Sequence, residues 1–215
     1  MAAAALAGAA PAAAGPVDEL TVTASRRAKA LAAVPSNTAL LDAADIALIR
    51  ADHVSEALNR LPGLNIQRGN GQEHLTAIRS PVLTGGAGAG SFLYLEDGVP
   101  LRAAGFANVN GLFDAPSELA GSIEAVRGPG SALYGSNAVH GLINVLTPAP
   151  TETLSVFADA SWGSFDRGRF RGSVSGTADG VGVWGGVTLM HEGGYRDDAG
   201  LDQQKATLRL DHDGG

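Results

Sequence analysis

The rhythm of apolar positions divides the chain into segments of different kinds. In DHVSEALNRLPGL, residues 52–64, Val54, Leu58 and Leu61 stand at i, i+4 and i+7, the spacing of one helix face. Asp52 is placed to cap the start and Pro62-Gly63 to stop it, so a short amphipathic helix is predicted. HLTAIRS (74–80), SFLYLEDGVPL (91–101), GSIEAVRGP (121–129) and GLINVLT (141–147) read as strands, with Asp97-Gly98 a strong turn pair. Helix and strands together predict a small α+β domain, a mixed sheet with short helices.

After Pro148 and Pro150 the period becomes two. Leu154, Val156, Ala158, Ala160 and Trp162 alternate with Ser155, Phe157, Asp159 and Ser161; Phe170, Gly172, Val174 and Gly176 alternate with Arg169, Arg171, Ser173 and Ser175. An Ala178-Asp179-Gly180 turn leads to Val181, Val183, Val187 and Leu189, and a longer polar loop leads to Ala206, Leu208 and Leu210 set against Lys205, Thr207, Arg209 and Asp211. Strands of about ten residues with one apolar face, joined by short turns and longer loops in turn, predict the wall of an outer-membrane β-barrel. A soluble sandwich is the competing reading, because Phe157, Trp184 and Met190 fall on faces that should be polar. Even the smallest membrane barrel needs about eight strands, so these antiparallel strands are expected to begin an incomplete transmembrane barrel, and the chain to be a fragment of a longer protein.

Composition narrows the function classes. A formal charge of −7 argues against nucleic-acid binding, which needs clustered Lys and Arg to repay counterion release. The absence of cysteine removes disulfides, thiolate zinc sites and Cys nucleophiles. Thirty glycines, about twice the usual share of about 7%, point to many tight turns and close backbone approaches. No segment reaches the roughly 18 to 20 apolar residues of a membrane helix. Residues 1–14, ending in Ala12 to Ala14, read as the remnant of a secretory signal that lacks its basic front, with a flexible Ala/Pro tail the alternative. Residues 15–37, with Pro16, Pro35 and the basic Arg26, Arg27 and Lys29, read as a linker. Inside it DELTVTA, Asp18 to Ala24, is a β-prone run suited to joining another protein's sheet edge.

Three sharper readings fail on the residues. GGAGAG, Gly85 to Gly90, lacks the Gly-Lys-Ser/Thr ending of a phosphate loop and runs into a strand at Ser91. Ser131, His140 and Asp114 form no hydrolase triad, since no Gly-x-Ser-x-Gly elbow surrounds the serine. His53, His74, His140, His191 and His212 are too scattered for a helical metal pair. No catalytic residue, no protein-ligated metal and no cofactor is therefore expected. Trp162 and Phe165, near a strand end, suit an interfacial aromatic girdle as well as ordinary packing.

Four stretches carry a likeness when taken together: DELTVTAS (18–25), PGLNIQ (62–67), YLEDGVPL (94–101) and IEAVRGPGSALYGSNAVHGLINVLT (123–147). In this order and spacing they resemble the plug domain of TonB-dependent outer-membrane receptors. The chain departs from the family's common pattern in having Ile78-Arg79-Ser80 for Ile-Arg-Gly, and His140-Gly141 where a Gly-Gly pair is usual.

The resemblance implies a plug over residues 38–149 and the first strands of the surrounding barrel over 150–215. A barrel of about 22 strands would otherwise have an open lumen. It further implies a TonB box at Asp18, Glu19, Leu20, Thr21, Val22, Thr23 and Ala24, whose partner is the TonB C-terminal domain. Arg79, Glu124 and Arg127 would lock the plug to the barrel, and Gly128, Gly130, Gly135 and Gly141 would let its loop turn sharply beside the wall. The implied function is energy-coupled uptake of a scarce bulky solute, by default a ferric siderophore or similar chelate, across the outer membrane of a Gram-negative cell. Outer-membrane lipid would be a further partner, and residues 69–73, 83–90 and 102–110 would meet the solute. A free periplasmic plug-like binding or signalling module is the alternative.

Overall fold

The computed structural model describes residues 21–22, 29–30, 37–69, 71–82, 91–101, 111–130, 134–135 and 137–212. The chain divides into two compact units, one within residues 14–146 and one running from Thr147 onward.

The first unit opens with β1 (Thr21–Val22) paired antiparallel to β2 (Lys29–Ala30). Then come β3 (Thr38–Asp42), α1 (Ala43–Ile49), α2 (Val54–Leu58), β4 (Leu64–Arg68), β5 (His74–Ile78), β6 (Phe92–Glu96), β7 (Val99–Pro100), two 3-10 turns, β8 (Ser122–Arg127) and β9 (Gly141–Leu146). Asp42 caps α1 by accepting from the Asp45 N–H at 2.8 Å, and Arg50 ends the helix in the left-handed region at φ 50°. α2 is shorter than the apolar spacing predicts. Its cap is His53, whose Nδ1 accepts the Ser55 N–H at 3.1 Å, and Asp52 instead donates its own N–H to Glu56 at 3.0 Å.

β3, β8, β9, β6 and β7 form a mixed five-stranded sheet in that order, with β6 and β9 parallel and the other pairs antiparallel. Asp97 and Gly98, both at positive φ (49° and 79°), make the tight β6–β7 turn that the Asp-Gly pair predicts. Both faces of the sheet are covered, which is why FLYL, IEAV and GLINV are almost wholly apolar. One face packs Phe92, Tyr94, Ile123, Ala125, Ile143 and Val145 with α1, α2 and the β4–β5 hairpin; the other packs Leu93, Leu95, Val126 and Leu142 with Tyr134 and Ala138.

The second unit is a meander of β10 (Ser155–Gly163), β11 (Arg167–Ala178), β12 (Val181–Glu192) and β13 (Leu201–His212), each antiparallel to the next. Its register sets Val156, Ala158, Ala160 and Trp162 on the face of Phe170, Val174, Val183, Leu189, Leu208 and Leu210. β13 begins at Leu201, ahead of its apolar run, because Asp202 and Gln204 continue the same ladder toward the loop. Trp184 and Met190 do lie on the polar face and are buried, Met190 opposite Arg169 and Trp184 between Ser175 and Arg209. Phe157, also on that face, lies beneath the Arg171 guanidinium at 5.9 Å from its ring centre.

Candidate functional site

Three surfaces bear on function. The first is an arginine pair in the first unit. Arg79, just past β5, takes a left-handed φ of 50° and donates its N–H to the Gly63 carbonyl at 2.9 Å. Arg127, the last residue of β8, donates from its guanidinium to the carbonyls of Pro62 at 2.7 Å and Asn37 at 3.3 Å. Gly63, at φ 85°, fits between them: a Cβ there would meet Arg79 Cγ at 3.3 Å and Arg127 Cδ at 3.6 Å. Residues 63, 79 and 127, far apart in sequence, thus meet at one place. Partial burial pulls the Arg127 pKa down and the like charge of Arg79 adds to it. Glu124 does not join them. It points to the opposite face of β8, fully buried, in register between Leu40 and Asn144.

The second is the 128–141 connection. Gly128 (φ 144°) and Gly135 (φ 80°) occupy conformations that favour glycine. Gly141 permits a close crossing instead, since a Cβ on it would stand 2.5 Å from the Val126 carbonyl oxygen. A Cβ on Gly130 would lie 2.9 Å from Leu142. Of the proposed box, Thr21 and Val22 are strand residues paired with Ala30 and Lys29; Asp18, Glu19, Leu20, Thr23 and Ala24 lie outside the described residues, as do 83–90 and 102–110.

The third is the apolar face of the meander. Val156, Leu208 and Leu210 are each about two-thirds exposed (65%, 66% and 65%), far from the half-buried pattern of a packed sheet. Trp162, at the loop end, lays its ring over Gly168 across the strand pair, where a Cβ would come within 2.6 Å of it. A recess of about 490 Å³ between Trp162, Phe170 and Leu189 opens on this same face. On the opposite face Arg171 donates to Asp159 at 3.0 and 3.2 Å, and Arg209 binds Asp211 and the Thr147 carbonyl. One face apolar and open, the other charged and paired, is the two-sidedness of a barrel wall.

The family model for the TonB-dependent receptor plug domain matches residues 30–142, more than half of the chain. The chain belongs to this family. It is a family of receptors, not of enzymes.

Solved structures show the same succession of a plug-like mixed sheet followed by antiparallel strands. The ferric citrate transporter FecA, in its unliganded form, matches with a TM-score of 0.71 at 22% identity over 83% of this chain and 29% of its own. The alcaligin outer-membrane receptor FauA of Bordetella pertussis gives 0.70 at 17% identity over 90% and 32%. The ferric-catecholate import receptor Fiu of E. coli K12 gives 0.65 at 19% over 86% and 25%. The chain therefore spans about a quarter to a third of the length of these proteins, and at such identities the likeness is one of fold.

Proposed function

We propose that this chain is the plug and the first wall strands of an energy-coupled outer-membrane receptor that takes up a scarce bulky solute, most simply a ferric siderophore or similar chelate. The observation that carries the reading is the junction of a plug-family domain with a sheet whose apolar side is open, since such a side is stable against lipid and unstable in water. The chemical class of the solute follows FecA, FauA and Fiu, whose names specify ferric citrate, alcaligin and ferric catecholates. Residues 38–149 act as the plug, residues 150–215 as wall, and Asp18 to Ala24 as the TonB box, with the TonB C-terminal domain adding to it as a strand from the periplasmic side. Arg79 and Arg127 receive carboxylates of the barrel and hold the plug until it is pulled.

Val22→Pro in the whole receptor separates coupling from binding. Proline removes a backbone donor from the box, so uptake of the chelate is abolished while its binding to outer membranes is retained. Uptake that survives the substitution refutes the box.

A further inference from the structure

Two buried histidines fasten the tip of the β4–β5 hairpin to the start of α2. His53 and His74 are 1% and 2% exposed, with ring centres 6.0 Å apart. Both reach the same acceptor, the backbone carbonyl of Gln72: His53 through Nε2 at 3.2 Å and His74 through Nδ1 at 3.1 Å. The contacts fix the tautomers. Nδ1 of His53 accepts the Ser55 N–H at 3.1 Å and lies 2.7 Å from the Ser55 hydroxyl, so its hydrogen must be on Nε2, which donates to Gln72. His74 correspondingly carries its hydrogen on Nδ1. Both rings are neutral in this arrangement.

We propose that His53, Gln72 and His74 form a proton-sensitive latch that fastens residues 71–73 of the plug to the first turn of α2, and that acidification opens it. A proton added to His53 Nδ1 turns the acceptor of the α2 cap into a donor facing the Ser55 N–H, and the cap bond is lost. A proton added to His74 places a charge in a dry site beside a second imidazole. Burial is the largest influence on His74 and lowers its pKa, the Gln72 carbonyl works the other way, and His53 adds to the lowering.

The influences on His74 are burial, the Gln72 carbonyl and His53, and no carboxylate is among them. Tyr94 of β6, whose ring is 5.8 Å from His74, is neutral because burial pushes its pKa up to about 12, against the hydrogen bond to Thr76. Glu56 of α2 faces Arg68 of β4 at 3.6 Å on the exposed side and accepts from the Asp52 N–H, while Glu73 accepts from the Gly71 N–H at 2.9 Å. The folded state disfavours the proton on His74, so the latch holds fully above the ordinary imidazole pKa of about 6.5 and weakens as the pH falls below it. Each proton taken up on opening raises the opening constant by up to about tenfold per pH unit.

The latch rests on the geometry of the plug alone; its bearing on solute capture, through residues 71–73, rests on the receptor reading. Hydrogen exchange of the whole receptor without solute tests the first apart from the second. With intrinsic exchange corrected, opening of segments 53–58 and 71–75 should rise as the pH falls from about 7.5 to about 5, by up to about tenfold per pH unit below about 6.5, relative to segment 141–146. In His53→Asn with His74→Phe, Asn keeps a capping oxygen and Phe keeps a ring beside Tyr94, and the response should become flat. Equal protection at both pH values, or a pH response retained in the double variant, overturns the latch. Should that variant not fold, the wild-type imidazole titration decides: a His74 midpoint below about 6.5 accompanied by shifts of the loop amides supports the latch, and a midpoint at or above it, or loop amides that stay still, refutes it.

Discussion

Gly141→Ala is the sharpest test of how the plug is packed. Gly141 opens β9 between two neighbours, paired with Arg127 of β8 and Phe92 of β6. A Cβ there would stand 2.5 Å from the Val126 carbonyl oxygen and 2.8 Å from Cδ1 of Ile78, which is itself 1% exposed. The side chain of Ile78 has nowhere to turn and a backbone oxygen cannot turn at all, so β9 must move off β8 at the end where the loop begins. Overpacking of this kind costs about 1–3 kcal/mol. The lower chain entropy of Ala returns roughly 0.5–1 kcal/mol, leaving a net loss of about 1–2 kcal/mol, a rise of about 5- to 30-fold in the opening constant. Hydrogen exchange of segments 122–127 and 141–146 in the whole receptor measures it directly. Gly163→Ala is the control, since among the described residues no atom lies within 4 Å of its Cβ position, and it should change protection by less than about 0.5 kcal/mol. Unchanged or increased protection in Gly141→Ala would refute the close crossing and with it the pairing of Arg127 with Gly141.

Other consequences follow from single contacts. Arg127→Ala removes the donors to Pro62 and Asn37. Discounted for partial exposure, the loss is about 1 kcal/mol, seen as faster proteolysis between residues 37 and 63. Arg171→Ala removes the guanidinium that donates to Asp159, a carboxylate 12% exposed in the intact pair, a loss of up to about 3 kcal/mol that a lower melting temperature reports. Tyr94 gives an alkaline limit. Its folded pKa of about 12 exceeds the ordinary value of 10.0, so the stabilisation it confers is complete below pH 10 and declines as the pH rises toward 12, by about 2–3 kcal/mol in all. Denaturant titrations of the wild type across that range should show the decline, and Tyr94→Phe should remove it.

The parts of the fold that were legible in the sequence are those with local rhythm. Residues 155–190 alternate with period two, and the register confirms which of them share a face. β6, β8 and β9 are short apolar runs because the sheet is covered on both sides, and Asp97-Gly98 marks its own turn. β3, α1 and β4 were not legible. α1 has a single buried residue, Ile46, and LNIQR of β4 shows only Leu64 and Ile66 before turning polar, too short a run for a period to show. The α2 cap passed from Asp52 to His53 because tertiary contact with Gln72 holds the imidazole where it can accept from Ser55. Trp184 and Met190 broke the alternation because each is buried among polar neighbours on its face, which no spacing reveals. The arginine pair was legible as residues but not as a site, since its geometry depends on Gly63, Arg79 and Arg127 meeting across three separate elements.

Site-directed spin labelling along β13 tests the account most directly. Nitroxides placed one at a time from Lys205 to Leu210, in the whole receptor in bilayers, report collisions with lipid-soluble oxygen and with a water-soluble relaxation agent. A barrel wall gives a period of two, with oxygen maxima at Ala206, Leu208 and Leu210 and the water-soluble agent favouring Lys205, Thr207 and Arg209. Equal access of the water-soluble agent to both sets would contradict a membrane wall and leave these strands a soluble sheet.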